Sequence, residues 1–350
     1  MREDEFTELA AAYQAELRAH CYRILGSVHD AEDALQEALV RAWKGIDRFE
    51  GRASVRSWLY AIATNTALDV ARHRSRREFA VDMGAPAEAG AELAAPLTEL
   101  PWLEPFPDQW LTPGGEPTPE ARYERRESIE LAFVAAVQHL PPLQRAALLL
   151  REVAGFSAAE IAGQLGTSAA AVTSALQRAR VTMAARAPAS SQQSALRTLG
   201  DARTRDLVRQ YADAMENGDI AVLVGMLTQD VTWSMPPVPT WYRGLEPVRD
   251  FLVRYPLTDR WRHRPTWANG QPAVAGYVHD EDAGRFIPAS IDVLTLSPDG
   301  GRIAAVTGFL TADLLGPEDA GGWISGAELF ARFGLPAGPP KRRPPAPAGG

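Results

Sequence analysis

Residues 48–77 carry seven arginines, Arg48, Arg52, Arg56, Arg72, Arg74, Arg76 and Arg77, against only Glu50 and Asp69. Within this stretch, the run from Phe49 to Arg72 interleaves Phe49, Trp58 and Tyr60 with arginines and with the polar Ser54 and Asn65. Arginine neutralises phosphate and aromatic rings stack on exposed bases, so the mixture suits nucleic acid. A blander account stands beside it. Trp58 and Tyr60 then belong to a core, and the terminal Arg72-His-Arg-Ser-Arg-Arg77 complements a helix dipole.

A second pattern lies between Phe156 and Arg180. Ser157 and Glu160 have the spacing of a capping box that starts a helix. Ile161 and Leu165 face inward, Gly166 makes a turn, and Thr167 or Ser168 caps a second helix with Val172 and Leu176 inside. Ala170, Thr173, Ser174, Gln177 and Arg178 are left on the outer face, short at first and basic later. A recognition helix entering the major groove needs that arrangement. An ordinary helical hairpin would show much of the same pattern.

A third run, Asp30 to Trp43, reads as one helix. Ala31, Leu35, Ala38, Leu39 and Trp43 form its apolar face, and Asp30, Asp33 and Glu37 the opposite one. By pattern alone this is a solvated face with a Glu37–Arg41 pair at i,i+4.

The elements around these runs divide the chain. A length of 350 residues suggests two or three domains. Residues 1–77 and 121–186 show helical periodicity, with breaks at Gly26, Gly51 and Pro141-Pro142. Residues 78–120 hold nine acids and no base and read as an unstructured Ala/Pro/Glu/Gly linker. One patch inside it, Pro101 to Leu111 with Trp102, Phe106 and Trp110, is too aromatic for an inert tether and is expected to dock on something. Residues 187–200 read as a short polar linker, 201–335 as a further domain and 336–350 as a disordered tail.

Net charge is −8, which alone argues against a nucleic-acid binder, but the charge is sorted along the chain and the basic segment is the one facing that question. The single cysteine, Cys21, excludes an internal disulfide and a cysteine zinc site, as expected in a reducing cytoplasm. No secretory signal or membrane-spanning run is evident. No metal or cofactor is expected.

The stretch from Ile24-Leu25-Gly26 through Arg77 resembles region two of the extracytoplasmic-function (ECF) sigma factors, and Leu140 to Arg180 resembles their region four. The resemblance implies that Asp33, Gln36 and Glu37 dock on core RNA polymerase. It implies that Arg52, Ser54, Arg56, Trp58, Tyr60, Asn65 and Arg72 hold the −10 promoter element, where a flipped base needs hydrogen-bond edges and a stacking wall. Ala170, Thr173, Ser174, Gln177 and Arg178 would read the −35 element. The acidic linker would lie along the polymerase RNA-exit path as an RNA mimic.

Residues 201–333 begin with helices and continue with strands rich in Val, Ile, Thr and Trp, an α+β order. Ser297-Pro-Asp-Gly-Gly301 is a hairpin signal between two of them. This order resembles the SnoaL-like cone fold with a curved antiparallel sheet, a domain carried by some ECF sigma factors in place of a separate anti-sigma protein. Trp233, Met235, Trp241 and Tyr242 could line its pocket. Asp230, His263, His279 and Asp292 could supply the Asp/His pair with which enzymes of this fold work. Two functions therefore stand open. One is a transcription initiation factor, not itself an enzyme, controlled by its own C-terminal domain through contact with the linker or through an unknown small ligand. The other is a small-molecule enzyme with an accessory DNA-binding segment.

Overall fold

The computed structural model describes residues 3–49, 51, 53–111, 126–186, 190–316 and 318–339. Three helices, α1 (Glu3–Leu25), α2 (Val28–Gly45) and α3 (Val55–His73), pack into the first domain around Leu17, Ile24, Leu35, Leu59 and Ala63. Gly26 ends α1 at φ +66°, and a Cβ there would come within 2.9 Å of Arg77, 3.0 Å of Leu103 and 3.1 Å of Gln138. Only glycine fits where the first domain, the linker and the second domain converge.

The second domain holds α4 (Leu131–Gln138), α5 (Pro142–Glu152), α6 (Ala158–Gln164) and α7 (Ala169–Arg186). Pro142 starts α5 as the periodicity predicts, and the capping box of Ser157 and Glu160 forms at the head of α6. Ser168 Oγ accepts the Ala171 N–H at 3.2 Å and caps α7.

The expectation for residues 187–200 needs correction. Gln192–Leu199 form a helix, α8, that buries Ala195 and Leu196 against the third domain. Gln192 exchanges hydrogen bonds with the backbone of Leu296, at 2.7 and 3.0 Å, like one more strand residue.

The third domain continues with α9 (Asp201–Asn217), α10 (Ile220–Met226), β1 (Leu227–Met235), β2 (Val238–Arg243), α11 (Leu245–Arg254), β3 (Trp261–Ala268), β4 (Gln271–Asp280), β5 (Arg285–Leu296), β6 (Ile303–Leu310), the short α12 (Ala312–Leu315) and α13 (Gly326–Arg332). The strands form one sheet in the order β2-β1-β6-β5-β4-β3. It is mixed rather than wholly antiparallel, because β1 runs parallel to β6. Strand direction depends on how many times the chain reverses between neighbours, which side-chain alternation does not record.

The two faces of the sheet carry two cores. Helices α9 to α11 close the concave face over Val208, Trp233, Phe251 and Val306. Ala273, Ala275, Tyr277 and Ile291 belong to one continuous apolar cluster with the linker and both helical domains. Gln271 to Val278 is accordingly buried at every position.

The linker is the main departure from expectation. Residues 78–111 are ordered. Trp102 and Phe106 are wholly buried, with Trp102 packed on Trp241. Backbone N–H groups of Ala87, Gly90, Ala94 and Leu97 donate to Trp241, Asp250, Thr240 and Pro237 at 2.7–2.9 Å. The segment thereby covers the exposed edge of the sheet at β2, where Ala87 bridges to Tyr242. An extended chain held by distant partners has no period of its own, so composition alone read it as unstructured.

Candidate functional site

Arg52 lies outside the described residues. Ser54 caps α3 by accepting the Ser57 N–H at 3.1 Å. Trp58 is half-buried on Phe49, with ring centroids 5.0 Å apart. Arg72 is exposed and pairs with Asp69 at 2.8 Å.

The other three residues expected at the −10 face lie against the second domain. Arg56 Nε donates to Glu16 at 2.8 Å and its Nη1 to the Ala154 carbonyl at 2.9 Å, while the guanidinium lies over the Tyr60 and Phe156 rings. Tyr60 is buried, donates to Glu16 at 2.8 Å and meets Phe156 edge-on. Asn65 Nδ2 donates to the Gln164 carbonyl at 3.0 Å, and the Gln164 side chain reaches back to Ser57 Oγ at 3.0 Å.

The outer residues of α7 are open. Ala170, Thr173, Gln177 and Arg178 are exposed and Ser174 half-exposed. Arg178 Nη1 donates to Ser174 Oγ at 2.6 Å, which holds the guanidinium along the helix face. On α2, Asp33, Gln36 and Glu37 are exposed, with Glu37 bonded to Arg41 at 2.8 Å. Val40 and Trp43 share that open surface, so Trp43 is not the core residue its spacing suggested. Asp30 departs in the other direction. It is buried, bound by Arg77 and, at 3.0 Å, by Arg74. Helical spacing put it with Asp33; two arginines arriving from the end of α3 take it out of solvent.

A junction that sequence reading missed joins all the parts. Asn269, at φ +55° in the β3–β4 turn, donates through Nδ2 to Tyr22 Oη at 2.9 Å and to the Ile129 carbonyl at 3.0 Å. Its Oδ1 accepts the Phe106 N–H at 2.9 Å. Beside it Gln271 Oε1 accepts the Leu131 N–H at 2.9 Å, capping α4. Gln193 bridges the Gly270 carbonyl, at 2.8 Å, to Glu130. The Gly270 N–H is accepted by Asp108 at 2.7 Å. Burial pushes Asp108 up to about 6 and Glu130 up to about 7, against the backbone donors that favour their charged forms. Glu104 completes the fastening. It accepts from Ser27 Oγ at 2.6 Å and Val28 N at 3.0 Å at the head of α2, and from Arg332 at 3.4 Å. An Asn-Gly turn signal could have located Asn269, but nothing local names its partners.

The concave face of the sheet holds a cavity of about 420 Å³. Trp233, Met235, His263 and Asp292 line it. Trp241 and Tyr242 do not. Trp241 points to the opposite face, against the linker, and Tyr242 stacks behind Phe251 at 5.0 Å. Asp230 is exposed, and His279 bonds Glu281 at 2.8 Å away from the cavity. Among the described residues, no group of three or more His, Cys, Asp or Glu could hold a metal ion.

Two helical domains, one ending in an open helix-turn-helix, and an α+β cone make a promoter-recognition factor with an appended pocket domain. Residues 9–77 match Sigma-70 region 2, 130–183 match Sigma-70, region 4, and 208–306 match the SnoaL-like domain. The chain is 39% identical over 340 residues to the ECF RNA polymerase sigma factor SigG of Mycobacterium tuberculosis, covering 96% of this chain and 85% of that protein. It is 29% identical over 311 residues to SigJ of the same organism, 87% of each chain. The crystal structure of SigJ has the same fold, with a TM-score of 0.54 at 22% identity over 89% of this chain and 99% of that one. The chain belongs to the ECF family of RNA polymerase sigma factors. Among the described residues, no helix is long and apolar enough to cross a membrane.

Proposed function

We propose that this sigma factor brings core RNA polymerase to promoters in the cytoplasm through Asp33, Gln36 and Glu37 on α2, reads the −35 element with the outer face of α7 and the −10 element with α3, and is held closed by its own C-terminal domain. It acts as a binding protein, without catalysis. The observation that carries the closed state is Asn269, which ties the C-terminal domain to α1, to the linker and to the entry of α4 at once.

Distance supports the same reading. The names of the two promoter elements put them about 25 base pairs apart, ~85 Å at ~3.4 Å per pair. Here the domains that would read them touch, with Asn65 bonded to Gln164 at 3.0 Å. Engaging both elements then requires α6 to leave α3 and the linker to leave the sheet. The freed linker would offer its acids to the RNA-exit path.

Transcription in vitro with core polymerase on a pool of promoter-length DNA tests the proposal. Defined start sites are expected, and their absence refutes it. A chain truncated after Arg186 should give a different output from the full chain. Equal output and equal polymerase affinity would remove the regulatory part.

A further inference from the structure

The end of α3 and the head of α5 meet across a cleft of about 350 Å³. Arg74, Arg76 and Arg77 line it from the first domain, and His139 and Arg145 from the second. Pro141 and Pro142 put the first turn of α5, the positive end of its dipole, in the same wall.

Arg145 is a buried cation without a counter-ion. Its guanidinium donates to the Ile24 carbonyl of the first domain and, at 2.6–3.1 Å, to Gln138 and Leu140 of its own. Among the described residues no carboxylate pairs with it, and its Nε has no partner. Burial, and after it the Arg76 charge across the cleft, pulls Arg145 down to about 10, so it is still charged at neutral pH. A buried charge left uncompensated is costly.

The acids nearby leave the balance positive. Asp30 is shared by Arg77 and, at 3.0 Å, Arg74. Glu78 holds Arg76 at 2.9 Å, and Asp82 serves His139 at 3.0 Å and Arg186 at 3.6 Å. Glu104 lies 4.0 Å from Arg77 but nearer, at 3.4 Å, to Arg332, which matches its charge. Arg76 can only donate, so His139 Nδ1, 2.6 Å away, accepts from it and the ring is neutral. Arg74, Arg76, Arg77, Arg145 and Arg186 therefore face Asp30, Glu78 and Asp82, five positive charges against three negative. A phosphate group would cancel that excess. Its oxygens point in tetrahedral directions and accept from both walls at once, whereas a planar carboxylate faces one.

We propose that this cleft binds a compact phosphate anion, a diphosphate group, between Arg74, Arg76 and Arg77 on one side and the head of α5, with Arg145 behind it, on the other. The anion relieves the repulsion between Arg76 and Arg145 and so fastens the two promoter-binding domains together. The binding stands by itself, whereas its effect on transcription rests on the closed state proposed above.

Calorimetric titration of the full chain at fixed ionic strength with pyrophosphate, ADP, succinate and a short DNA duplex tests the binding. One saturable pyrophosphate site is expected, about tenfold or more tighter than any for succinate. ADP binding at least as tightly would assign the anion to a nucleotide, and pyrophosphate binding alone to the free ion. Either result supports the site. No saturable uptake of either by a chain with native circular dichroism overturns it, as does binding of the duplex alone or of succinate as tightly as pyrophosphate. Replacing Arg74 and Arg76 together by Ala should weaken pyrophosphate binding at least about tenfold, and the gentler Arg76→Gln at least about threefold. Arg209→Ala on α9, which removes an exposed arginine of the third domain, should leave it within about twofold. Equal affinity in all the variants means attraction to basic surface in general and overturns the site. Saturation should also slow hydrogen exchange several-fold in α6, which packs on α3, relative to α9, and unchanged exchange there removes the fastening. None of these measurements uses polymerase, so their failure and a failure of the sigma reading are told apart.

Discussion

Phe106 and Asn269 are joined by two hydrogen bonds running in opposite directions. The Asn269 N–H donates to the Phe106 carbonyl at 2.8 Å, and the Phe106 N–H donates to Asn269 Oδ1 at 2.9 Å. The Phe106 ring is wholly buried and meets Tyr22 at 4.8 Å, while Asn269 Nδ2 reaches the hydroxyl of the same tyrosine. Polar and apolar contacts therefore close on one point, where the first helical domain, the linker and the third domain meet.

Asn269→Gly should loosen that point without straining it, since glycine accepts φ +55° and only the side-chain bonds are lost. Buried groups left unpaired cost about 1–3 kcal/mol each, and not additively. Residues 78–111 should become protease-sensitive well below the melting temperature. Transcription by the variant should rise several-fold over the wild-type chain. Asn269→Ala adds backbone strain and should be cut faster still.

Closure should weaken as pH rises. Burial lifts Asp108 to about 6 and Glu130 to about 7, from ordinary carboxylate values near 4. The closed chain thus keeps protons that an open chain has already lost. Its stability relative to the open chain falls from about pH 4 until pH passes those raised values, and is flat above them. Asp108→Asn should remove the part of the slope below about pH 6, and Glu130→Gln the part reaching about pH 7. Denaturant titrations between pH 5 and pH 8 would read this, and a slope equal in wild type and the double variant would contradict it.

Arg178→Ala should weaken binding to −35 DNA by about 1–3 kcal/mol if the guanidinium reads a base. Among the described residues its guanidinium bonds Ser174 on the same helix, so folding should be untouched. Fluorescence anisotropy at fixed salt separates the two cases. A uniform loss across DNA sequences, with a shallower salt slope, would assign Arg178 to phosphate instead.

Glu37→Lys should cost polymerase affinity at least about tenfold while shifting the melting temperature by no more than ~2 °C. The exposed Glu37–Arg41 pair is worth only about 0.3–0.5 kcal/mol to the helix. Unchanged affinity would move the docking face elsewhere on α2, towards the exposed Val40 and Trp43.

What the sequence disclosed follows from the range of each interaction. Capping of α6 by Ser157 and Glu160, the start of α5 at Pro142 and the open face of α7 are decided within a few residues, and all were legible. Asp30 was misread because Arg77, the residue that buries it, lies 47 positions away. Trp241 was misread by strand parity. It pairs with Ser234 while Tyr242 pairs with Trp233, so the two neighbours face opposite sides of the sheet. The junction at Asn269 was illegible because its partners, Tyr22, Phe106 and Ile129, are spread over three segments of the chain.

The linker's successive backbone bonds, at Ala87, Gly90, Ala94, Leu97 and Phe106, act like the teeth of a zip. Lifting the whole segment at once would break every one together, whereas pulling from one end breaks them in turn. A pull on either helical domain, such as the proposed engagement of polymerase or DNA would exert, should therefore meet a succession of small barriers. On the opening proposed above, release would be a graded peel whose extent follows how far the chain has been drawn apart.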